Sequence, residues 1–390
     1  MLNFEFQSPT KFIFGRETEN QVGSEIKKIA SKVLLVHSGD DFIYESKLYD
    51  RIVKSLKDNL LEFWELTGVK PNPRLSLLYK GIEICCENNI DFILAVGGGS
   101  TIDTGKGIAV GNYYDGDVWD LYTEKATPEK ALPVGVVVTI PAAGSEGSPG
   151  SVITNEDGGY KRGCVNDILR PKFAILNPEL TFTLPKFMTS CGCADILSHI
   201  MERYFTNVKN VELTDRMSEA AMKTVINNSL ILLKDPKNYD ARAEIMWSAV
   251  IAHNDLLGTG REGDYASHWI GHELGGMFDV VHGASLSVIT PAWMKYVYKQ
   301  NINRFVQFAS RVWNVDVNYE DLEETALMGI EKMVEFFEKI GVPTTISQLN
   351  INIKDGDYSE LAEKSTGGNT IGGLKPLEKN DVIQILKLAK

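Results

Sequence analysis

The chain has 390 residues, which is long for one hydrophobic core and predicts two domains. Its 52 acidic and 40 basic residues leave a formal net charge of -12, so neither nucleic acid nor an anionic membrane surface is an expected partner. No stretch approaches the roughly 20 apolar residues of a membrane span, and residues 1–15 lack the basic head and apolar run of a secretory signal. The five cysteines are therefore expected to be reduced thiols of a cytoplasmic protein.

The first half alternates strand-like and helix-like segments. Short apolar runs predict strands over 33–39, 61–66, 91–100 and 132–141. Helical spacing predicts helices over 47–59, 75–89 and 101–111. Strands that alternate with helices indicate a parallel sheet covered on both faces. The first domain, residues 1–183, is therefore expected to be an α/β domain.

The second half has helical periodicity and few strand-like runs. Helices are predicted over 211–233, 241–257, 319–340 and 381–390. The segment NPELTFTLP supplies two prolines near residues 180–185, where we place the boundary. Residues 184–390 are expected to form an all-α domain.

A glycine turn, Gly97-Gly98-Gly99-Ser100, stands between a predicted strand and a predicted helix. Glycines let backbone N–H groups approach a phosphate closely, and a helix N-terminus favours negative charge. An ordinary tight turn between strand and helix is the alternative. The turn is not the GxGxxG fingerprint, so a standard Rossmann motif is not indicated.

Two further segments follow predicted strands and are rich in small or hydroxyl residues. They are residues 139–148 and residues 37–41. Because ligands of open α/β sheets bind beyond the carboxyl ends of the strands, a shared dinucleotide crevice is plausible, with an ordinary Gly/Ser loop as the alternative for 139–148. An acid in 37–41 would favour a ribose 2′-hydroxyl, whereas Ser38 would leave room for a 2′-phosphate. The choice between NAD and NADP therefore stays open.

Most of the six histidines fall into a pattern typical of a metal site. Asp195 and His199 are spaced i,i+4 on one predicted helix, and His268 and His272 repeat that spacing on another. His282 follows in a glycine-ended turn. Carboxylate and imidazole suit iron(II) or zinc, and a spare histidine could relay protons. The alternative is that these are ordinary structural side chains; HExxH is absent, which disfavours a zincin protease.

Motifs from near the start to the helical half carry a family resemblance. They are PTKFIFG, VGGGSTIDTGK, TIPAAGSEGSPGSVIT, FAILNPELTFTLP, DILSHIMERY and SHWIGHELGGMFDVVHGASLSVITPA. On these motifs the chain resembles the iron-containing (group III) alcohol dehydrogenases, in particular the butanol dehydrogenase-like branch of NAD(P)H-dependent aldehyde reductases. The resemblance implies a Rossmann-like dinucleotide-binding α/β domain, an all-helical metal-binding domain and a homodimer.

The resemblance also implies roles for individual residues. It implies that the metal ligands are Asp195, His199, His268 and His282. It implies that His272 is the nearby non-ligand catalytic histidine and that Asp103, a second catalytic candidate, lies near the nicotinamide.

The same resemblance implies the cofactor contacts. The residues that hold the pyrophosphate would be Gly98, Gly99 and Ser100. The residues that line or pack against the cofactor cleft would be Thr139, Ser148, Lys161 and Leu180. The residues where the family reads the adenosine ribose are Ser38, Gly39 and Asp41. Close relatives carry GGGS at that position and this chain has Ser-Gly-Asp-Asp, which puts a preference for NADP in doubt.

The implied activity is metal-dependent hydride transfer between NAD(P)(H) and small aliphatic alcohols or aldehydes, with aldehyde reduction expected. The expected metal is Fe(2+), with Zn(2+) as the alternative. A glycerol dehydrogenase-like polyol oxidoreductase or a dehydroquinate synthase-like enzyme would share the two-domain plan. A non-enzymatic dinucleotide- and metal-binding protein is a third hypothesis, which a metal site closed by Cys191 or Cys193 would favour.

Overall fold

The computed structural model describes all 390 residues. The chain folds into two compact units, one formed by Ser8–Thr183 and the other by Met1–Gln7 together with Leu184–Lys390. The predicted boundary places residues 1–7 in the first domain, whereas they lie with the helical unit, where the amide of Leu2 donates to the carbonyl of Gly260 at 2.8 Å.

The unit Ser8–Thr183 is an α/β structure. Its strands are β1 (Lys11–Phe14), β2 (Lys32–His37), β3 (Glu62–Leu66), β4 (Phe92–Gly97), β5 (Val134–Val138), β6 (Gly150–Asn155), β7 (Tyr160–Val165) and β8 (Phe173–Leu176). Its helices are α1 (Val22–Ile26), α2 (Asp41–Glu45), α3 (Leu48–Asp58), α4 (Leu75–Asn88), α5 (Gly99–Gly111) and α6 (Trp119–Tyr122). Six strands form a parallel sheet in the order β1-β8-β5-β4-β2-β3. The predicted parallel α/β fold is confirmed.

The central strands of this sheet are apolar along almost their whole length. Residues Val33 to His37 of β2 are buried, and so is every residue of β4 and β5. Parallel strands covered on both faces have this pattern, which is why the apolar runs predicted them. His37 of β2 is paired with Val96 of β4, and Gly97 of β4 with Val138 of β5. The segments that follow β2, β4 and β5 therefore leave the sheet at the same edge.

Some strands are not predicted by the sequence patterns. The edge strand β1 and its neighbour β8 have four residues each, which is too short for a periodicity that separates strand from loop. The strands β6 and β7 form an antiparallel hairpin apart from the main sheet. This hairpin turns at Gly158 and Gly159, whose φ values of 82° and 62° lie in the left-handed region that glycine adopts without strain.

The segment Leu184–Lys390 is helical and contains no β-strand, which confirms the predicted all-α second domain. Its helices are α7 (Lys186–Tyr204), α8 (Glu212–Lys234), α9 (Tyr239–His253), α10 (Ala266–Phe278), α11 (His282–Val297), α12 (Ile302–Trp313), α13 (Leu322–Ile340), α14 (Asp355–Thr366) and α15 (Lys379–Leu388). No helix of the chain combines the length and the apolar character that a bilayer span requires.

Candidate active site

Three helices of the helical unit bring one carboxylate and two imidazoles together. Asp195 lies on α7, His268 on α10, and His282 is the first residue of α11. Asp195 Oδ1 is 3.8 Å from His268 Nε2 and 3.8 Å from His282 Nε2. One donor atom from each of the three residues lies within 4.8 Å of the others. One member of each i,i+4 pair, Asp195 and His268, therefore lies beside His282.

A close approach of two helices helps to place His282. The predicted glycine-ended turn is the first turn of α11, and Gly283 follows His282 there. A Cβ atom on Gly283 would lie 2.0 Å from the carbonyl oxygen of Cys191 on α7. Only glycine allows α11 to begin this close to the helix that carries Asp195.

The donor set suits a divalent transition metal. Metal–ligand bonds of about 2.0–2.2 Å place neighbouring donors roughly 3–3.5 Å apart, so the two separations from Asp195 Oδ1, 3.8 Å each, need only a small contraction. Asp195 Oδ1 is buried and accepts no hydrogen bond, and such an oxygen is costly unless a cation compensates its charge. A carboxylate with imidazoles is a ligand set that iron(II) and zinc accept.

His199 contacts this cluster without being one of its mutually close donors. Its Nδ1 is 2.9 Å from Asp195 Oδ1 and 3.0 Å from the backbone carbonyl oxygen of Asp195. The ring centroids of His199 and His268 are 4.2 Å apart. A hydrogen bond from Nδ1–H to the carbonyl would leave Nε2 with the lone pair that a metal needs.

Two other histidines border the cluster. The ring of His272 is 5.2 Å from that of His282 and 5.8 Å from that of His268, measured between centroids. His253, at the end of α9, is not among the predicted site residues, although its ring centroid is 4.3 Å from that of His199. Because His253 is distant in the chain and has no i,i+4 partner of the ligand type, no sequence pattern could have identified it.

Glu202 is a second residue that the sequence patterns missed. It is 2% exposed, and its Oε1 accepts the backbone N–H of His268 at 3.2 Å. The same oxygen is in hydrogen-bond contact with Nδ1 of the His268 ring. The signal was present, since Asp195, His199 and Glu202 share one face of α7 through the spacing D-x3-H-x2-E.

Cys191 and Cys193 are buried free thiols and neither belongs to the donor set. Burial raises the pKa of each thiol to about 12, so both remain protonated at neutral pH. Neither cysteine closes the metal cluster.

In the α/β unit, the glycine turn is the first turn of a helix. Helix α5 begins at Gly99, two residues before the predicted start, with Gly98 as its N-cap. A Cβ atom on Gly97 would lie 2.3 Å from Thr101 Oγ1. A Cβ atom on Gly98 would lie 3.0 Å from Ile140 Cβ. The backbone here is accessible only because side chains are absent, and the helix N-terminus favours an anion.

The segment after β2 presents acidic groups at the same edge of the sheet. Asp40 Oδ1 accepts the backbone N–H of Ile43 at 3.2 Å, so this carboxylate is used as the N-cap of α2. Asp41 is exposed in the first turn of α2. Gly39 has a φ of 73° and its N–H donates to Nδ1 of the buried His37 at 3.1 Å. Residues 37–46 contain no lysine or arginine.

A buried lysine holds the segment after β5. Nζ of Lys106, a residue of α5 with no exposed surface, donates to the carbonyl oxygens of Ser145 at 2.6 Å, Ser148 at 2.9 Å and Gly150 at 2.8 Å. Burial lowers the pKa of Lys106 to about 8, while the carboxylates of Asp103 and Glu146 act in the opposite direction. The three ammonium hydrogens are thus matched by three carbonyls, two in the loop after β5 and one at the first residue of β6.

Asp103 supports the same loop. Its Oδ1 accepts the Ser145 hydroxyl at 2.6 Å and its Oδ2 accepts the backbone N–H of Val152 at 3.0 Å. Burial raises the pKa of Asp103, and the nearby Lys106 opposes that shift. Both carboxylate oxygens therefore have donors from the chain itself.

The remaining predicted cofactor residues lie along this unit. The amide of Thr139 donates to the carbonyl of Gly97 at 3.0 Å, and Nζ of the buried Lys161 donates to Asn72 Oδ1 at 2.9 Å. Leu180 lines a cavity of about 260 Å³ that Phe42 and Ser46 of the segment after β2 also line. The cavity thus lies between Leu180, predicted to pack near the cofactor cleft, and the segment that follows β2; the predicted ribose residues Ser38, Gly39 and Asp41 do not line it.

Sequence profiles of known families match both halves of the chain. One described as "Iron-containing alcohol dehydrogenase" matches residues 9–178, and one described as "Fe-containing alcohol dehydrogenase family, C-terminal" matches residues 189–390.

Individual proteins are similar over nearly the whole chain. NADH-dependent butanol dehydrogenase A of Clostridium acetobutylicum is 40% identical over 391 residues, which cover 99% of each chain. NADPH-dependent aldehyde reductase YqhD of Escherichia coli is 34% identical over 355 residues, which cover 90% of each chain. The crystal structure of NADH-dependent butanol dehydrogenase A from Thermotoga maritima superposes with a TM-score of 0.95 at 38% identity and covers 100% of this chain and 99% of that one.

Proposed function

Because the chain belongs to the iron-containing alcohol dehydrogenase family and is an NAD(P)-dependent, metal-dependent oxidoreductase of alcohols and aldehydes, we propose that Asp195, His199, His268 and His282 hold its catalytic metal. The observation that carries this proposal is the convergence of Asp195, His268 and His282 within 4.8 Å of one another. His199 is included because its ring packs against that of His268 and its Nδ1 contacts the Asp195 carbonyl. The expected metal is iron(II), with zinc as the alternative.

The chain's own residues determine charge and proton transfer at this site. When bound, the cation polarises the substrate oxygen as a Lewis acid, and the nicotinamide donates or accepts the hydride. Asp195 supplies the only negative charge of the proposed ligand set. We assign proton transfer between the substrate oxygen and solvent to His272, whose ring borders that of His282 outside the donor set.

We infer that the cofactor binds along the carboxyl edge of the parallel sheet. The bare backbone of Gly98 and Gly99 and the N-terminus of α5, which includes Ser100, support a pyrophosphate site there. The residues proposed to line the rest of the cofactor site are Ser38, Gly39, Asp41, Thr139, Ser148, Lys161 and Leu180. The family resemblance predicts a catalytic role for Asp103; because both its oxygens bind chain donors, we infer that it positions the loop after β5.

We propose small aliphatic aldehydes and alcohols of three or four carbons as substrates, with aldehyde reduction as the main direction. The names of the butanol dehydrogenases and of the aldehyde reductase support this choice. Apart from Asp195, the residues of the donor set carry no fixed charge, which suits a small neutral substrate. The glycerol dehydrogenase-like alternative is not favoured by these comparisons.

Removal of the metal is expected to abolish butanal reduction. Chelated protein should lose activity, and addition of iron(II), zinc or manganese should restore it, because the substrate oxygen is not polarised without the cation. Initial rates with NADH before chelation, after chelation and after each metal addition check this. Undiminished turnover in protein shown to be metal-free would contradict the proposal.

NADH is expected to be the better cofactor, with kcat/KM at least about tenfold above that of NADPH. A 2′-phosphate near Asp40 and Asp41 would meet like charge, and residues 37–46 offer it no lysine or arginine. A difference of about 1.4 kcal/mol between the two cofactors corresponds to a tenfold difference in kcat/KM. Asp41→Ser should lower the ratio of kcat/KM for NADH to kcat/KM for NADPH, because it removes a negative charge near the 2′-phosphate. The fold should be kept, since Asp41 is exposed and its replacement leaves the Asp40 cap intact. Glu45→Gln, a change in the same helix, is the matched control and should preserve the ratio.

We further propose a homodimer in the cytoplasm. The exposed apolar side chains of Leu2, Phe4 and Phe6 offer surface for such an assembly, and light scattering on the purified protein tests it. All five cysteines are free thiols, as a reducing compartment requires.

A further inference from the structure

Glu202 is a buried carboxylate that contacts a proposed metal ligand from outside the ligand set. It lies on α7 one turn after His199, and its side chain faces the first turn of α10. One oxygen, Oε1, accepts the backbone N–H of His268 at 3.2 Å and also contacts Nδ1 of the same residue's ring. The backbone and the ring of His268 are therefore both tied to one side chain.

The opposite nitrogen of that ring points into the cluster. His268 Nε2 lies 3.8 Å from Asp195 Oδ1, while Nδ1 meets Glu202 on the other side. A neutral imidazole carries one N–H and one lone pair. A carboxylate at Nδ1 holds the proton there, which leaves the lone pair on Nε2 and raises its basicity as a ligand.

We propose that Glu202 is a positioning residue that fixes the tautomer and the orientation of His268 for metal binding, an inference that rests on the proposed metal site. Glu202 itself is outside the donor set. It acts through His268 and makes no contact with substrate or cofactor in this role.

The role of the Glu202 side chain can be separated from a merely structural one. The backbone carbonyl of Glu202 accepts the amide of Asp264 at 2.7 Å, and Asp264 Oδ1 in turn accepts the amide of Ala266 at the start of α10. These bonds join α7 to the beginning of α10 whatever side chain stands at position 202. A change of the carboxylate alone should therefore affect the ring of His268 more than the packing of the helices.

Glu202→Gln is the first test, with cobalt(II) as the probe metal and the intact protein as the sample. Loss of such a partner typically costs 10–100-fold in metal affinity, so competition with a chelator should show a cobalt(II) affinity about 10–100-fold lower than that of the wild type. The visible spectrum of bound cobalt(II) should also change, because a neutral amide, which can present its NH2 as well as its oxygen, no longer fixes the proton on Nδ1 or raises the basicity of Nε2. Glu202→Asp withdraws the carboxylate from the ring but keeps its charge, so its loss of cobalt(II) affinity should be smaller. This variant replaces Glu202→Gln as the test if the glutamine variant does not fold.

Glu219→Gln is the matched control. Glu219 is 4% exposed on α8 and accepts the Tyr204 hydroxyl at 3.0 Å, away from the histidines. It should lose stability to a similar extent in a thermal melt, yet keep wild-type cobalt(II) affinity and spectrum.

The outcomes separate this inference from the proposed metal site. Wild-type affinity and spectrum in the Glu202 variants, or an equal loss of affinity in Glu219→Gln, would overturn the role of Glu202 alone. A His268→Ala variant that binds cobalt(II) as tightly as the wild type would overturn the metal site and, with it, this inference.

Discussion

His268→Ala is expected to remove the metal and to lower kcat for butanal reduction by at least about 100-fold. The alanine deletes one of the three donors that lie within 4.8 Å of one another. Only Asp195 of α7 and His282 of α11 then remain in the donor set. Lewis-acid stabilisation supplies several kcal/mol, and each 1.4 kcal/mol is worth about tenfold in rate. Metal content of the purified protein and steady-state kinetics with NADH measure the two effects.

The fold should survive this change, because the backbone amide of Asp264 donates to the carbonyl of Glu202 and that of Ala266 to Asp264 Oδ1, and these bonds hold the start of α10 without the imidazole. Ser267→Ala, which alters the neighbouring buried residue of the same helix, should keep both metal and activity. A His268→Ala protein that retains the wild-type rate without bound metal would contradict the proposed function. A large drop in melting temperature for His268→Ala but not for Ser267→Ala would instead show that the imidazole is needed for folding.

Lys106→Met is expected to lower the free energy of unfolding by about 3–5 kcal/mol, because each buried acceptor left without its donor costs about 1–3 kcal/mol and three are affected. The change leaves the carbonyls of Ser145, Ser148 and Gly150 without their shared donor and removes the cation that faces Asp103. Urea unfolding followed by circular dichroism measures the loss. The KM for NADH should also rise, since the loop carries Ser148, a proposed cofactor contact.

A surface lysine provides the comparison for this prediction. Lys57→Met changes an exposed side chain of α3 in the same α/β unit and should alter stability by no more than about 0.5 kcal/mol. Adding Asp103→Asn to Lys106→Met should cost less than Asp103→Asn does in the wild type, because the partner charge is already gone. Equal stability of Lys106→Met and Lys57→Met would show that the buried ammonium does not stabilise the loop.

Three of the four strands that the sequence predicted, β2, β4 and β5, are buried in the middle of the sheet, and the fourth, β3, is an edge strand. Runs such as 33–37 and 92–97 are apolar throughout because neighbours cover both faces, and that pattern is visible without knowing the neighbours. The strands β1 and β8 have only four residues each, and β1 forms at the edge of the sheet by pairing with β8, which lies at the other end of the α/β unit in sequence. Their structure depends on a partner distant in the chain, which no local pattern shows.

The proposed metal site also combines a local pattern that the sequence shows with contacts that only packing decides. The i,i+4 spacings of Asp195 with His199 and of His268 with His272 are local and place each pair on one helix face. Which members of these pairs converge depends on how α7, α10 and α11 pack, and the mutually close donors are Asp195, His268 and His282.

By itself, the sequence determined the fold class, the two-part organisation, the family and the residue types of a metal site, because these follow from local periodicity and from motifs contiguous in the chain. The tertiary structure alone decided that Glu202 holds the His268 ring, that His253 packs on His199 and that Lys106 is buried under the loop after β5. Such contacts join residues far apart in the chain through their side chains. They exist only once helices and strands have packed, since packing sets which buried polar group finds which partner.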